Sequence, residues 1–282
     1  MTGAEARLEK LRSEHPEWTP WLAVVEAVLR EIDDHKWDSA VPPGPASPAS
    51  ATPLLANAAI DLREAPVQKY FTQLIGVASR SGTETMVTLA PAANAKIDLL
   101  SLFKASLHQD NEQLKACVAA LGVDCEAFAA VMALLSMPLL QACNRRLERS
   151  VPTGWTEGYC PICGAWPAFA EVRGIERLQF LRCDRCGGAW QTQCLFCPYC
   201  GETDHETLVS LVPENSALNS VIAACKRCLG YVKTFTKLQG SAPAEVIIED
   251  LASVALDMVA AEHGYKRPQG AGYMLNVTLT EN

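Results

Sequence analysis

The sequence predicts an α+β fold made of an N-terminal helical domain, two tandem four-cysteine modules and a C-terminal helix. Apolar residues at helical spacing occur in residues 4–38, and residues 54–147 are rich in alanine and leucine. Four Cys-x-x-Cys pairs follow between residues 160 and 228, and helical spacing returns after residue 249. We therefore expect a helical domain at 1–150, four-cysteine modules at 151–191 and 192–240, and a C-terminal helix and tail at 241–282.

The helical domain begins with two predicted helices in residues 4–38. They are interrupted at His15-Pro16, because proline disfavours helical geometry in the residue before it. Apolar residues recur at helical spacing along the second helix, namely Trp21, Val24, Val25, Val28, Leu29 and Ile32. This stripe is typical of core packing rather than of a ligand site.

A proline-rich segment interrupts the helical domain at residues 41–53. Clustered prolines and small residues favour an exposed connector over a recognition segment, since no paired Pro-x-x-Pro with flanking basic residues stands out. From residue 54 to 147 the composition predicts several further helices. Asp110 and Asp124 are predicted N-caps, and Pro138 is predicted to end or kink the helix that begins at Cys125.

The four Cys-x-x-Cys pairs repeat in the order A-B-A-B. The first and third read Cys-Pro-x-Cys-Gly, whereas the second and fourth read Cys-x-Arg-Cys-x-Gly. This order indicates the internal duplication of one metal-binding unit. Two such turns can present four sulfur atoms to one ion at the corners of a tetrahedron. A glycine after the second cysteine suits a turn that closes in the left-handed region.

Eight cysteines are therefore predicted metal ligands. Joining neighbouring turns keeps each closed loop short, so it costs less loop entropy than interleaving them. The first site would use Cys160, Cys163, Cys183 and Cys186, and the second would use Cys197, Cys200, Cys225 and Cys228. Because iron and zinc both accept four thiolates, the spacing leaves the metal open: two iron ions per chain, or zinc in the same sites.

Other roles are less favoured for the cysteines. The chain starts Met-Thr-Gly-Ala-Glu without the apolar region of a secretory signal, which argues against disulfides. A thioredoxin-like pair would occur once rather than four times. Cys194 extends the third pair to Cys-x-x-Cys-x-x-Cys, but the fourth cysteine and proline of a ferredoxin pattern do not follow. We interpret Cys194 as a bystander, and Cys117, Cys125 and Cys143 as buried free thiols.

Short strands are predicted inside each module. Residues 168–172 and 178–181 flank a turn at Gly174, and residues 207–212 and 219–223 repeat this arrangement around Pro213. Each module is thus a small ribbon with its cysteine turns at the ends of a β-hairpin. Because such ribbons have little core of their own, we expect metal binding to fold them.

The C-terminal region returns to helix at residues 249–263, where apolar residues follow positions i, i+3, i+4, i+7 and i+8. Gly264 is the predicted C-terminal cap of this helix. The glycine-rich stretch from 268 to 282 is predicted as a tail or a loosely packed arm.

Charge and composition exclude several function classes. The net charge is −8, and six basic residues stand against seven acidic ones between the first and last paired cysteines, whereas a phosphate-binding module should be basic. No apolar run approaches the ~20 residues that span a bilayer. No nucleophile–base motif, phosphate loop or dinucleotide fingerprint is present. We therefore expect a cytoplasmic protein that is not an enzyme, binds no nucleic acid and does not insert into membranes.

The run from Cys160 to Tyr265 resembles the FdhE family, accessory proteins required for formation of active respiratory formate dehydrogenase. The resemblance is carried by the first cysteine turn with Pro167, by Leu181-Arg182-Cys183 with Trp190, and by Glu249-Asp250-Leu251-Ala252-Ser253 followed by Leu256-Asp257 and Gly264-Tyr265. It covers about two fifths of the chain. The N-terminal part is similar more loosely, through Arg7-Leu8 and His15-Pro16. Cys194 and the 41–53 loop depart from the family pattern.

The resemblance implies a non-enzymatic, cytoplasmic maturation factor with rubredoxin-like sites that can hold iron. Its implied partner is the catalytic subunit of formate dehydrogenase. Two alternatives stay open: a redox or electron-transfer protein that acts on this client through an iron–thiolate site, and, less favoured, a nucleic-acid-binding zinc ribbon.

Four residues beside the B turns have two interpretations each. Arg185 and Arg227 occupy equivalent places, where they offset the charge of four thiolates or form part of a client-binding face. Trp190 and Tyr231 follow the B turns, where they pack over the metal or anchor a partner. Charge compensation and packing are the favoured interpretations.

Overall fold

The computed structural model describes residues 3–45, 50–80, 83–212 and 219–281. Part of the predicted 41–53 connector and the predicted turn at Pro213 lie outside these residues. The chain divides into two compact units. Unit 1 comprises residues 1–43, 57–146 and 276–282, and unit 2 comprises residues 44–56 and 147–275. The predicted boundaries after residues 150, 191 and 240 stay predictions.

Unit 1 is mainly helical, as predicted. Its helices are α1 (Gly3–Glu14), α2 (Thr19–Ile32), α3 (Glu64–Arg80), α4 (Glu84–Val87), α5 (Leu99–His108), α6 (Asn111–Ala116), α7 (Cys125–Met132) and α8 (Met137–Leu147). The break at His15-Pro16 separates α1 from α2. Asp110 and Asp124 cap α6 and α7 by accepting the Gln113 and Ala127 N–H groups at 3.0 and 2.8 Å.

Two details of the unit 1 prediction were different in the structure. Pro138 does not end a helix: α7 stops at Met132, and Pro138 lies in the first turn of α8. Proline is tolerated there because the first N–H groups of a helix have no partner within it. The stripe on α2 is buried except for Trp21, which is partly exposed.

One stretch among the described residues, Cys125–Ser150, is long and apolar enough to cross a membrane by length and composition. Within its apolar window, 72% of the residues are buried inside the fold. Burial of this kind is typical of a core helix, so one such stretch is weak evidence for a membrane span.

The predicted C-terminal tail is wrong for its last residues. Strand β8 (Thr278–Glu281) pairs in parallel with β1 (Ala59–Leu62), with Ile60 opposite Leu279. Apolar residues alternate along Leu275, Val277 and Leu279, which is the period of a half-buried strand. This alternation was the sequence signal for β8.

Unit 2 is built around a six-stranded sheet. Its strands are β2 (Phe169–Arg173), β3 (Leu178–Arg182), β4 (Ala189–Thr192), β5 (Leu208–Leu211), β6 (Ser220–Cys225) and β7 (Tyr231–Lys237), in the spatial order β4-β3-β2-β7-β6-β5. Neighbours are antiparallel except β2 and β7, which pair in parallel at the centre. The two predicted ribbons are thus the two halves of one sheet.

The sheet has a hydrophobic core on one face. Two helices, α9 (Val246–Ala252) and α10 (Val254–Glu262), follow the sheet in the chain, where a single helix was predicted. Val246, Leu256 and Ala260 from these helices join one buried cluster with Phe169 and Phe235 of the central strands. The expectation that each ribbon has little core of its own is therefore incomplete, because the halves share this core.

Gly264 caps α10 as predicted. Its φ of +82° places it in the left-handed region, where glycine is favoured. The Gly264 and Tyr265 N–H groups donate to the carbonyls of Ala261 and Ala260 at 2.9 Å each, which satisfies the end of the helix. The chain then turns towards the cysteine turns described next.

Candidate metal centres

All four Cys-x-x-Cys pairs adopt the same backbone turn. In each, the N–H of the first cysteine donates to the carbonyl five residues later, at 2.8–3.0 Å. The carbonyl of the same cysteine accepts the N–H four residues later, at 2.9 Å. The turns therefore hold both sulfur-bearing residues of a pair in one fixed geometry.

The residue after the second cysteine has a positive φ in every turn. Gly164, Gly187 and Gly201 have φ values of +71°, +74° and +75°, and Leu229 has +58°. Glycine adopts this conformation freely, whereas a residue with a Cβ is strained there. The sequence therefore predicts the left-handed conformation at the three glycines. Leu229 takes the same conformation without being a glycine.

The first candidate centre lies between the turns at Cys160 and Cys183. The sulfur pairs Cys160–Cys186 and Cys163–Cys183 are each 3.5 Å apart, and all four sulfur atoms lie within 4.8 Å of one another. None of the four cysteines is more than 1% exposed. We call this set cluster 1.

The second candidate centre lies between the turns at Cys197 and Cys225. Here Cys197–Cys228 and Cys200–Cys225 are 3.6 and 3.7 Å apart, and the four sulfur atoms again lie within 4.8 Å of one another. Cys197 and Cys225 are buried, whereas Cys200 and Cys228 are partly exposed. We call this set cluster 2.

The sulfur geometry fits a tetrahedral ion. A metal–sulfur distance of about 2.3 Å places the sulfur atoms of a tetrahedron about 3.8 Å apart. The four close pairs, at 3.5–3.7 Å, are near this spacing and far longer than the ~2.05 Å of a disulfide. The structure groups the cysteines in the two sets that sequential pairing predicts. Their role as ligands stays a prediction.

The protonation chemistry of the clusters also favours a cation. Burial raises the pKa of the Cys160 thiol well above its ordinary value, and burial raises the pKa of Cys197 as well. The hydrogen bond of Cys160 lowers the pKa of Cys163, so the sulfur atoms of a cluster share their protons unevenly. A bound metal supplies positive charge, so metal binding would release protons and hold the turns together.

Cluster 1 is braced by two distant segments of unit 2. The Leu54 and Leu55 N–H groups donate to the carbonyls of Pro161 and Ile162, at 2.8 and 3.1 Å. The Tyr273 N–H donates to the Gly164 carbonyl at 2.9 Å. The residues that directly follow the predicted connector therefore contact this centre, which the sequence did not indicate.

Arg182, which directly precedes Cys183 in the sequence, is fully buried and connects the second turn to the rest of the sheet. Its guanidinium donates to the Gly187 carbonyl at 3.2 Å, to the Ser241 carbonyl at 2.9 Å and to the Glu171 carboxylate at 2.9 Å. Sequence reasoning placed Arg182 in a motif but missed Glu171 and Ser241. Charged residues on a strand with an otherwise apolar face were the available signal for Glu171.

Glu171 is completely buried and surrounded by donors. It accepts from Arg173, Arg182 and the Ser241 N–H, the last at 3.0 Å, and lies 3.4 Å from the Lys237 ammonium. Burial acts to raise the pKa of Glu171, but the charge of Arg182 and these hydrogen bonds outweigh it and lower the pKa to about 2. The carboxylate is therefore ionised at neutral pH.

A second charged network lies behind the Cys225–Cys228 turn. The buried Lys233 ammonium is 2.8 Å from carboxylate oxygens of both Asp250 and Asp257. Arg267 donates to the same two aspartates, at 2.7 Å each. Burial acts to raise the pKa of Asp250, but Arg267 and Lys233 lower it below its ordinary value. The family-like motif residues Asp250 and Asp257 thus stabilise the site through charge pairing.

The segment that carries Arg267 also holds the fourth turn directly. The Lys266 N–H donates to the Leu229 carbonyl at 2.9 Å, beside a bridge between Gly230 and Lys266. Tyr231 follows this turn, and its hydroxyl donates to Asp257 at 2.6 Å. Tyr231 therefore packs within the network, in agreement with the favoured interpretation.

The other residues singled out beside the turns differ in exposure. Arg185 is 8% exposed, whereas Arg227 is exposed and pairs with Glu202 at 3.2 Å. The Trp190 indole N–H donates to the Glu157 carbonyl at 3.2 Å, and its side chain is buried, which agrees with packing. Arg185 and Arg227 occupy equivalent positions in the repeat but differ in their exposure to solvent.

Four cysteines belong to neither cluster. Cys194 is exposed. Cys143 is buried, as expected, but Cys117 and Cys125 are partly exposed rather than buried. His205, the nearest histidine in sequence to cluster 2, lies 3.6 Å from Asp204 with 78% of its side chain exposed. It is not among the residues of either candidate metal group.

Two groups of four cysteines, each formed by two Cys-x-x-Cys turns in the unit that contains the six-stranded sheet, are typical of candidate tetrahedral metal sites. Residues 193–275 match the family model described as FdhE, C-terminal domain. The crystal structure of the FdhE protein from Pseudomonas aeruginosa shares the fold, with a TM-score of 0.63 and 23% identity over 96% of this chain and 93% of that one.

Curated proteins named FdhE homolog are similar in sequence. The Pseudomonas aeruginosa protein is 38% identical over 114 residues, which are 38% of this chain and 37% of that protein. The Aquifex aeolicus protein is 26% identical over 206 residues, 71% of this chain and 67% of that protein. The Pectobacterium atrosepticum protein is 32% identical over 121 residues, 38% of its length. The chain is thus similar to proteins of this name, and the matched stretches span little more than a third of the Pseudomonas aeruginosa and Pectobacterium atrosepticum relatives.

Proposed function

We propose that this chain is a non-enzymatic maturation factor that binds the catalytic subunit of formate dehydrogenase in the cytoplasm. Similarity to the FdhE family, over residues 193–275 and to curated FdhE homologues, is the observation that carries this proposal, because the resemblance implies that client. The acidic net charge of −8 agrees with a protein partner rather than with a nucleic acid.

Each cluster would hold one iron or zinc ion through its four cysteines. The residues fit this role because the four sulfur atoms of each cluster lie within 4.8 Å of one another and their turns are fixed by backbone hydrogen bonds. A bound metal would supply the positive charge that four thiolates need. The chain itself fixes the turns, excludes water from cluster 1 and balances charge through buried Arg185.

The donor sets favour a structural or recognition role over catalysis. Catalytic zinc sites keep one coordination position for water or substrate, whereas structural sites are closed by four protein ligands. Both clusters offer four sulfur atoms. We therefore expect the metal centres to stiffen a surface for client recognition and to turn over no small molecule.

Co-purification tests the proposed function. The tagged catalytic subunit of formate dehydrogenase should capture the full chain under reducing, anaerobic conditions. Cys183→Ser and Cys225→Ser should weaken capture, whereas Cys125→Ser, a cysteine outside both clusters, should leave it unchanged. No capture of the wild-type chain, together with normal formate dehydrogenase activity in a deletion strain, contradicts the proposal.

A redox role is the second candidate, and the partial exposure of Cys200 and Cys228 favours it, since electron transfer needs access to the centre. Zinc has no accessible redox change. A zinc-loaded chain that supports formate dehydrogenase maturation as well as the iron-loaded chain indicates a scaffold. A zinc-loaded chain that binds the client but fails to support maturation indicates a redox step.

A further inference from the structure

We propose that cluster 2 is an exchangeable metal site, open to incoming thiol and nitrogen ligands, whereas cluster 1 keeps its metal. The inference rests on the proposed metal binding and adds a division of labour between the clusters. The exchange is ligand substitution: bonds from the metal to the incoming ligand form, metal–cysteine bonds break, and each released thiolate takes a proton from water. No oxidation state changes.

Access to the sulfur atoms is the first difference. The four cysteines of cluster 1 are at most 1% exposed, so an incoming ligand cannot approach without opening the fold. In cluster 2, Cys200 and Cys228 are partly exposed. Zinc can expand from four to five ligands during reaction, so an accessible edge allows attack before any cysteine has left.

Packing over the turns is the second difference. In cluster 1, a Cβ added to Gly164 would lie 3.0 Å from Tyr273, and a Cβ added to Gly187 would lie 2.5 Å from Pro243. At the matching position of cluster 2, a Cβ on Gly201 would meet nothing within 4 Å. The first and second turns are therefore covered, while the third turn faces open space.

Backbone strain is the third difference. Leu229 has a φ of +58° where the other three turns have glycine, and its side chain is 48% exposed. The strain is relieved when the turn opens, which lowers the cost of releasing Cys228. The same strain is not present in cluster 1, where both positions are glycine.

An entry path beside cluster 2 completes the comparison. A cavity of about 90 Å³ is lined by Cys197 and Cys225 together with Leu195 and Phe196. Leu195 is 55% exposed at this cavity. A small ligand can therefore reach the inner cysteines as well as the partly exposed ones.

Zinc release from the loaded full chain tests the inference. Excess 4-(2-pyridylazo)resorcinol, with a phosphine to keep the thiols reduced, should remove zinc in two phases of one ion per chain. The rate constant of the fast phase should exceed that of the slow phase by at least about tenfold. Cys228→Ser should abolish the fast phase and keep the slow one.

A second variant separates strain from simple loss of a ligand. Leu229→Gly should slow the fast phase severalfold and leave the slow phase unchanged. Gly174→Ala is the matched control, because it places a Cβ at a φ of +65° in the β2–β3 turn, with nothing within 4 Å. It should change neither phase.

The outcomes are distinct. One release phase for both ions, or an effect of Leu229→Gly on the slow phase, overturns the division between the clusters while metal binding stands. Failure of the reconstituted chain to hold zinc overturns both the proposed metal sites and the exchange.

Discussion

Replacing Glu171 by glutamine removes one charge from the buried network behind cluster 1 and keeps the size of the side chain. The pKa of Glu171 falls from an ordinary 4.5 to about 2 in the folded protein. Each pKa unit corresponds to about 1.4 kcal/mol, so the ionised carboxylate stabilises the fold by about 3 kcal/mol at neutral pH. Breaking a buried ion pair by removing one partner typically costs about 3–5 kcal/mol, which agrees.

Urea unfolding of the cobalt-loaded chain measures this loss. The cobalt–thiolate absorption reports on unit 2, which contains both clusters. Glu171→Gln should lower the free energy of unfolding by about 3 kcal/mol. Glu176→Gln, on the exposed turn of the same hairpin, is the matched control and should change it by less than about 0.5 kcal/mol.

The lowered pKa of Glu171 also predicts how the stabilisation changes with pH. Because the folded pKa lies below the unfolded one, the stabilisation is fully present above pH ~4.5 and is lost as the pH falls towards ~2. The difference between wild type and Glu171→Gln should therefore be constant from pH 7 to pH 5 and shrink below about pH 4.5. A loss under about 1 kcal/mol, or a difference that grows on acidification, would refute this reasoning.

Two further predictions concern cluster stability. Lys233→Met should lower the free energy of unfolding by about 3 kcal/mol, because it removes a buried ammonium from two partly buried aspartates and leaves them with Arg267 and, at Asp257, the Tyr231 hydroxyl. Lys266→Met, on the exposed neighbouring segment, should lower it by less than about 0.5 kcal/mol. Cobalt-monitored unfolding compares the two variants, and equal losses would contradict the network's role. Gly187→Ala should weaken cobalt binding at cluster 1 far more than Gly201→Ala weakens it at cluster 2, since only the first adds a clash, 2.5 Å from Pro243, to the strain of about 1 kcal/mol. Competition with a chelator measures both affinities, and equal weakening would show that packing over Gly187 is unimportant.

The cysteine spacing predicts the local geometry of the candidate centres, because the conformation of each turn depends on neighbouring residues alone. The repeat and the glycines therefore predict the backbone of all four turns and the two sets of four. Helix caps at Asp110 and Asp124 are predictable for the same reason, since an aspartate pairs with an N–H three residues later.

The long-range contacts could not be predicted from the sequence. The parallel pairing of β2 with β7, which joins the two halves of the sheet, depends on residues about 60 positions apart, and no local pattern encodes it. The contacts of Leu54 and Leu55 with the first turn and of Arg182 with Ser241 are of the same kind. The strand at Thr278–Glu281 was detectable from alternation but was obscured by the glycine-rich stretch before it.

Metal content measured together with X-ray absorption tests the central claim most directly. The chain purified without oxygen should hold two metal ions, each with four sulfur neighbours at about 2.3 Å. Cys183→Ser and Cys225→Ser should each reduce the content to about one ion per chain. One ion in the wild-type chain, or nitrogen ligands in the first coordination sphere, would contradict the account.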